Sequence, residues 1–205
     1  MNPEVFLLVI PVLIVSIIIH EVAHGYAALF LGDRTALNAG RLTVNPIAHI
    51  DPVGSILLPI LTSFTGFFFG YAKPVPYNPN NLSNKKWGEA IVAFAGPASN
   101  IILAVLFAIV TRVAVASGTP MDGLMIQAFV FIVIANLFLA ILNLIPVAPL
   151  DGSKILFSLL PYKWISIRRW MEKNQLILVG LVLLLIITTP VLETITYFFA
   201  GLLIG

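Results

Sequence analysis

Apolar positions run along this chain in long stretches, and the polar ones collect between them. A helix crosses the hydrocarbon core of a bilayer in about 20 residues, so stretches of that length are predicted spans. Val5–Leu31 is one, with His20, Glu21 and His24 as its ionisable members. Trp87–Ser117 is a second, carrying Glu89 near its start and Arg112 near its end. Gly123–Pro146 is a third, with Gln127, Asn136 and Asn143 as polar insertions. Gln175–Gly205 is long enough for one more, and Thr188-Thr189-Pro190 is placed to kink or split it, because proline lacks the N–H a helix needs. Gly54–Gly70 is apolar but short, and it contains Pro59 and Gly66.

The eleven basic residues orient these stretches. Residues 32–87 hold Arg34, Arg41, Lys73, Lys85 and Lys86, and residues 151–174 hold Lys154, Lys163, Arg168, Arg169 and Lys173. The turn at 118–122 holds none. Positive residues mark the cytoplasmic side, so both basic segments are placed inside and the 118–122 turn outside. Residues 32–87 then begin and end on one side. Gly54–Gly70 is therefore expected to be re-entrant, or to lie against the bundle where protein covers its irregular backbone. Pro161–Lys173, with Trp164 and Trp170, reads as an amphipathic anchor at the membrane surface.

Composition agrees with a multi-pass protein. Of 205 residues, 60% are apolar and 10% charged, against about 45–50% and about 25% for soluble domains. Net charge is +2, which excludes a nucleic-acid partner held by a basic surface. The chain has no cysteine, so thiolate metal sites and disulfides are excluded. The N-terminus has no basic leader region, and its apolar run ends in His20, so it is expected to stay as a helix rather than be removed. The expected class is an all-α polytopic membrane protein forming one domain over residues 1–205.

Chemistry concentrates at His20-Glu21-Val22-Ala23-His24, an HExxH pattern. On a helix, positions i and i+4 share a face, so both imidazoles can ligate one ion while the adjacent Glu serves water. Three ionisable groups in five residues of a membrane span are costly without a cation. A catalytic zinc takes three protein ligands and leaves one position open, so a third is needed. His49 is the one remaining histidine, expected with Asp51 in a solvated loop. Asp151 is the better candidate, since it follows a span in Asn143-Leu144-Ile145-Pro146-Val147-Ala148-Pro149-Leu150-Asp151-Gly152, where two prolines interrupt the helix and Gly152 frees the backbone. Taken alone, Asp151 reads equally well as a helix N-cap at the cytoplasmic surface.

In combination these motifs resemble the site-2 protease family of intramembrane zinc metalloproteases. His20-Glu21-x-x-His24 in a first span is paired with Asn143-x-x-Pro146 and Leu150-Asp151-Gly152 after a later one. Gly96-Pro97-Ala98-Ser99-Asn100 resembles a further family signature, and Gly40–Pro46 and Ala72-Lys73-Pro74-Val75-Pro76 resemble the compact bacterial branch. The resemblance covers about residues 15–155. It implies a three-helix catalytic core, a single Zn2+ held by His20, His24 and Asp151, Glu21 as general base, and Asn143 orienting substrate or steadying the oxyanion. It also implies a substrate that is itself a membrane protein with a transmembrane helix, and a location in the cell membrane. The PDZ or CBS domain common in the family has no room within these 205 residues. A metal transporter is the rival class, but repeated halves with matching broken helices are not visible.

The remaining features have plainer readings. Gly96-Pro97 is expected to be a packing notch, Asn100, Gln127 and Asn136 interhelical hydrogen-bonding residues, and Arg112 a snorkelling cation. Phe67-Phe68-Phe69 reads as a lipid- or core-facing cluster. Gly40–Val44 alternates polar and apolar side chains and is a candidate edge strand for an unwound substrate.

Overall fold

The computed structural model describes residues 3–57, 60–61 and 72–205. The first span is α1, Pro3–Phe30, of 28 residues; at 1.5 Å per residue it is about 42 Å long. After the short α2, Thr35–Asn38, the chain runs through a 3-10 turn at Pro46–His49 and a π-helical turn at Pro52–Leu57. The second and third spans are α3, Gly88–Ala116, and α4, Leu124–Asn143. Four shorter helices follow: α5, Asp151–Leu159; α6, Ile165–Lys173; α7, Gln175–Thr188; and α8, Val191–Ile204.

Among the described residues three helices are long and apolar enough to cross a membrane, and a fourth crossing exists if α6 and α7, bent by 76° at Asn174, count as one. The expected C-terminal span is indeed split: Thr189 is extended, with φ −136° and ψ 142°, and Pro190 starts the next helix. Each half has 14 residues, or about 21 Å, less than the roughly 30 Å hydrocarbon core.

Helix α3 is the hub, packing against α1, α4, α5 and α8. Its contact with α4 and α8 is built on Ala104, Ala108, Val133, Leu137 and Ala200. Small residues suit this role, because helices in lipid gain association energy from close backbone approach rather than from burying apolar surface. The outward face of α3 carries Ile102, Leu106, Ile109 and Val113, all more than half exposed. Their spacing is one helical stripe, and α7 has no buried residue at all. Water is the wrong solvent for such faces; this is an integral membrane protein.

Polar ties close the bundle at its ends. The buried Asp33 carboxylate accepts hydrogen bonds from Thr35 N and Oγ1, Asn78 N and Asn81 Nδ2. Burial pushes its pKa up, but these donors outweigh burial and hold the carboxyl below its ordinary value. With Ser83 N donating to Leu31 O at 2.8 Å, they bind the end of α1 to the segment that leads into α3. At the other end Arg112 donates to the carbonyls of Leu202 and Ile204, each at 3.1 Å. It caps the C-terminus of α8 rather than merely snorkelling outward, the placement that the helix dipole favours for a cation. Trp164 at the N-cap of α6 and Trp170 within it are exposed, and the helix is tied by Arg168 to Glu89 at 3.0 Å.

Three expectations are corrected, the first being Gln127, whose Nε2 donates to the Asp122 carbonyl just before its own helix at 2.8 Å and not to another helix. Gly40–Val44 is not a strand, and no strand occurs among the described residues; Arg41 and Leu42 are spent on packing against α1 and residues 73–75 instead of on a ladder. His49 is not solvated but 2% exposed, donating Nε2–H to Thr43 O at 2.8 Å. Of Gly54–Gly70, residues 58–59 and 62–70 lie outside the described residues, as do Phe67-Phe68-Phe69.

Candidate metal centre

Four-residue spacing on two helices builds the site. Ser16, His20 and His24 form one ridge of α1; Val92, Gly96 and Asn100 form a ridge of α3, and the two ridges meet. His20 donates Nδ1–H to Asn100 Oδ1 at 2.6 Å, and His24 donates Nδ1–H to Val92 O at 2.7 Å. With a proton on each Nδ1, each Nε2 carries a lone pair, the form in which imidazole ligates a metal. Gly96 makes this approach possible. A Cβ there would stand 2.5 Å from His20 Nε2 and from His24 Nε2 and Cε1, so the notch in α3 is filled by the two imidazoles.

Asp151 completes the convergence. Its Oδ2 lies 3.1 Å from His20 Nε2 and 3.1 Å from His24 Nε2. Ligand atoms around a tetrahedral zinc stand about 3.3 Å apart, so the donor set has both the chemistry and the spacing for that ion. Three electron-pair donors facing one another are mutually repulsive until a cation lies among them. All three side chains are buried: His20 6%, His24 8% and Asp151 6% exposed. Asp151 is the first residue of α5, with Leu150 in the N-cap position, so its carboxylate is turned to the histidines and to Lys154 Nζ, 3.5 Å from Oδ1, rather than to a cap. Gly152 allows the turn, since a Cβ there would lie 2.5 Å from the Ile145 carbonyl.

Glu21 stands beside the pair. It offers an oxygen that with atoms of His20 and His24 forms a set within 4.8 Å, but its Oε2 is engaged by Val75 N–H at 2.8 Å, whereas Asp151 Oδ2 lies at 3.1 Å from both imidazoles. Asp151 is thus the stronger third donor on geometry, and Glu21 the neighbour. Asn143 is not joined to this cluster by a hydrogen bond among the described residues; its Nδ2 donates to Leu139 O within α4.

The partners of the imidazoles were not legible as such. Asn100 does bond between helices, but to His20, and its Nδ2 reaches Asn136 Oδ1 at 2.8 Å while Asn136 Nδ2 reaches Ser16 Oγ at 3.0 Å. This fully buried chain links α1, α3 and α4 behind His20. Its signal in the sequence is the common spacing of four, Ser16 before His20 and Gly96 before Asn100.

Residues 112–187 match the model of peptidase family M50. The chain is 39% identical over 157 residues, 73% of its length and 67% of the relative's, to the Bacillus subtilis protein named "Putative zinc metalloprotease YwhC". It is 32% identical over 148 residues to a Mycolicibacterium smegmatis protein, and 29% identical over 148 residues to a Mycobacterium tuberculosis protein, each named "Putative zinc metalloprotease Rip2". Those two alignments cover 72% of this chain and 55% of the mycobacterial proteins, so the chain spans about half of their length. No solved structure matches it.

Proposed function

Because the chain belongs to peptidase family M50, we propose that it is a zinc metalloprotease of the cell membrane that hydrolyses peptide bonds within or beside transmembrane segments of other membrane proteins. The observation that carries this reading is the convergence of His20 Nε2 and His24 Nε2 on Asp151 Oδ2 at 3.1 Å each, inside an apolar bundle. His20, His24 and Asp151 would hold one zinc, which supplies Lewis-acid activation of water and of the scissile carbonyl. Asn100 and Val92 O hold both imidazoles in the ligating tautomer. Glu21 accepts the proton of the attacking water and returns it to the leaving amine. Asn143, in the last turn of α4, takes the substrate-orienting role; exchange of its Leu139 bond for a bond to substrate frees its amide for an unwound backbone.

The membrane proteomes of cells expressing wild type and Glu21→Gln test the reading. We expect the Gln variant to retain zinc and to accumulate uncut membrane stubs, because the amide keeps the shape of Glu but cannot accept a proton. Identical proteomes in the presence of full zinc would make the chain a catalytically silent relative. Zinc flux lost with no change in processing would make it a transporter.

A further inference from the structure

The Ala72–Pro76 motif has no role in the chemistry above, yet it lies against it. Residues 73–75 cross the flank of α1, where Val75, 5% exposed, sits in the notch left by Gly25; a Cβ on Gly25 would stand 2.8 Å from Val75 Cγ1 and would also strike Leu42. Residues 74 and 76 are prolines, without N–H groups. Val75 N–H is therefore the one backbone donor in this tripeptide, and it is spent on Glu21 Oε2 at 2.8 Å. Among the described residues no hydrogen bond reaches Glu21 Oε1.

The segment is itself fixed from behind. Arg41, 8% exposed, donates from one Nη to Lys73 O at 2.8 Å and to Pro74 O at 3.4 Å. Lys73 N donates to the carbonyl of the buried His49 at 2.9 Å. One Nη of Arg41 thus holds the two carbonyls that precede the Val75 amide, and His49 anchors the segment's start.

We propose that Arg41 and the Pro74-Val75-Pro76 segment position Glu21: the Val75 N–H locks one carboxylate oxygen and so aims the other. A glutamate has three side-chain torsions, and an unrestrained carboxylate at a partly open position samples several of them. Holding one oxygen on a rigid donor selects one rotamer before substrate arrives, which is the way preorganised groups lower a barrier. The flanking prolines serve this by fixing the backbone and by offering no competing donor. Arg41 acts through the segment and touches no reacting atom. The proposal rests on Glu21 being the general base.

Two measurements test it. In the first, hydrogen exchange at residues 72–78 is followed in metal-free protein, with no turnover needed. Exchange of the Val75 amide is expected to quicken about tenfold or more in Glu21→Ala and in Arg41→Ala, and to return toward wild type in Arg41→Lys, whose ammonium can still reach a carbonyl. In the second, the Val75 amide is replaced by an ester, which deletes the N–H and keeps the side chain packed on Gly25. Turnover of a quenched peptide containing one transmembrane helix is then measured. A fall in kcat of about 10–100-fold, with KM within about twofold and zinc content unchanged, is expected. An ester variant with wild-type kcat, while Glu21→Gln is inactive, overturns the positioning role and leaves the protease reading standing. Full turnover by Glu21→Gln overturns the general-base assignment, and the positioning role falls with it.

Discussion

Each side chain at the centre has one atom committed away from it and one committed to it. His20 and His24 direct Nδ1 outward and Nε2 inward, and Asp151 directs Oδ2 inward while Lys154 approaches Oδ1. Removing an inward donor should abolish binding, and removing an outward partner should weaken it. Asp151→Ala is expected to lose zinc in metal analysis of the purified protein, whereas His49→Ala keeps it, since His49 is bonded to Thr43 O. Asn100→Leu should weaken zinc binding about 10–100-fold, as loss of a histidine-orienting partner typically does. Gly96→Ala tests the notch. Its new methyl would overlap both imidazoles, so zinc content should drop and the apo protein should also melt lower, since overpacking a close-packed interior costs about 1–3 kcal/mol.

The helices are held at their ends by single polar residues, which makes those residues sensitive handles. Asp33 ties the end of α1 to residues 78–81, and its carboxyl titrates below the ordinary range because four hydrogen bonds favour the charged form over the burial that opposes it. A depressed folded value means that stability is fully present above the unfolded pKa of about 3.9 and is lost as pH falls through the folded one. Asp33→Asn should therefore melt well below wild type near pH 6 in detergent, with the gap narrowing as pH falls below about 4. A gap independent of pH would show that shape, not charge, ties the helix end. On α8 the corresponding handle is Arg112, whose two carbonyl bonds end the helix. Arg112→Ala should increase protease sensitivity near residues 202–204 while zinc content holds, because the metal site lies elsewhere on α3.

Taken whole, the molecule is an asymmetric bundle whose polar chemistry sits at one end. The described parts of the two basic segments, 32–57 and 72–87 with 151–174, adjoin the helix ends nearest the site, and the 118–122 turn without basic residues joins the far ends of α3 and α4. Absence of cysteine makes the arrangement directly measurable, since any introduced thiol is unique. In intact cells, a membrane-impermeant maleimide should label Met121→Cys and spare Lys163→Cys, with the pattern reversed in inside-out vesicles. Labelling of both from one side would refute the assigned orientation.

The three long apolar helices and the shared face of His20 and His24 could be read directly because each rests on local physics, whereas the orientation rests on loop charge and on the labelling test. A bilayer of fixed thickness counts apolar residues, loop charge is local, and a separation of four places two histidines on one helical face. Asp151 could be singled out but not distinguished from a cap, since a carboxylate at a helix start looks alike in both roles. Folding made the choice by bringing it across 131 residues to His20. Gly96 was legible as a notch, but not as a notch for imidazoles. Asn100 was legible as an interhelical bond, but not as the bond that sets a tautomer. The strand expected at Gly40–Val44 failed because alternation supplies only a face, and a strand also needs a neighbour with which to exchange backbone hydrogen bonds. Here Arg41 is drawn instead to the carbonyls of residues 73 and 74. Which groups complete a site depends on distances between helices far apart in sequence, and those distances are set by the packing of Ala and Gly surfaces on α3.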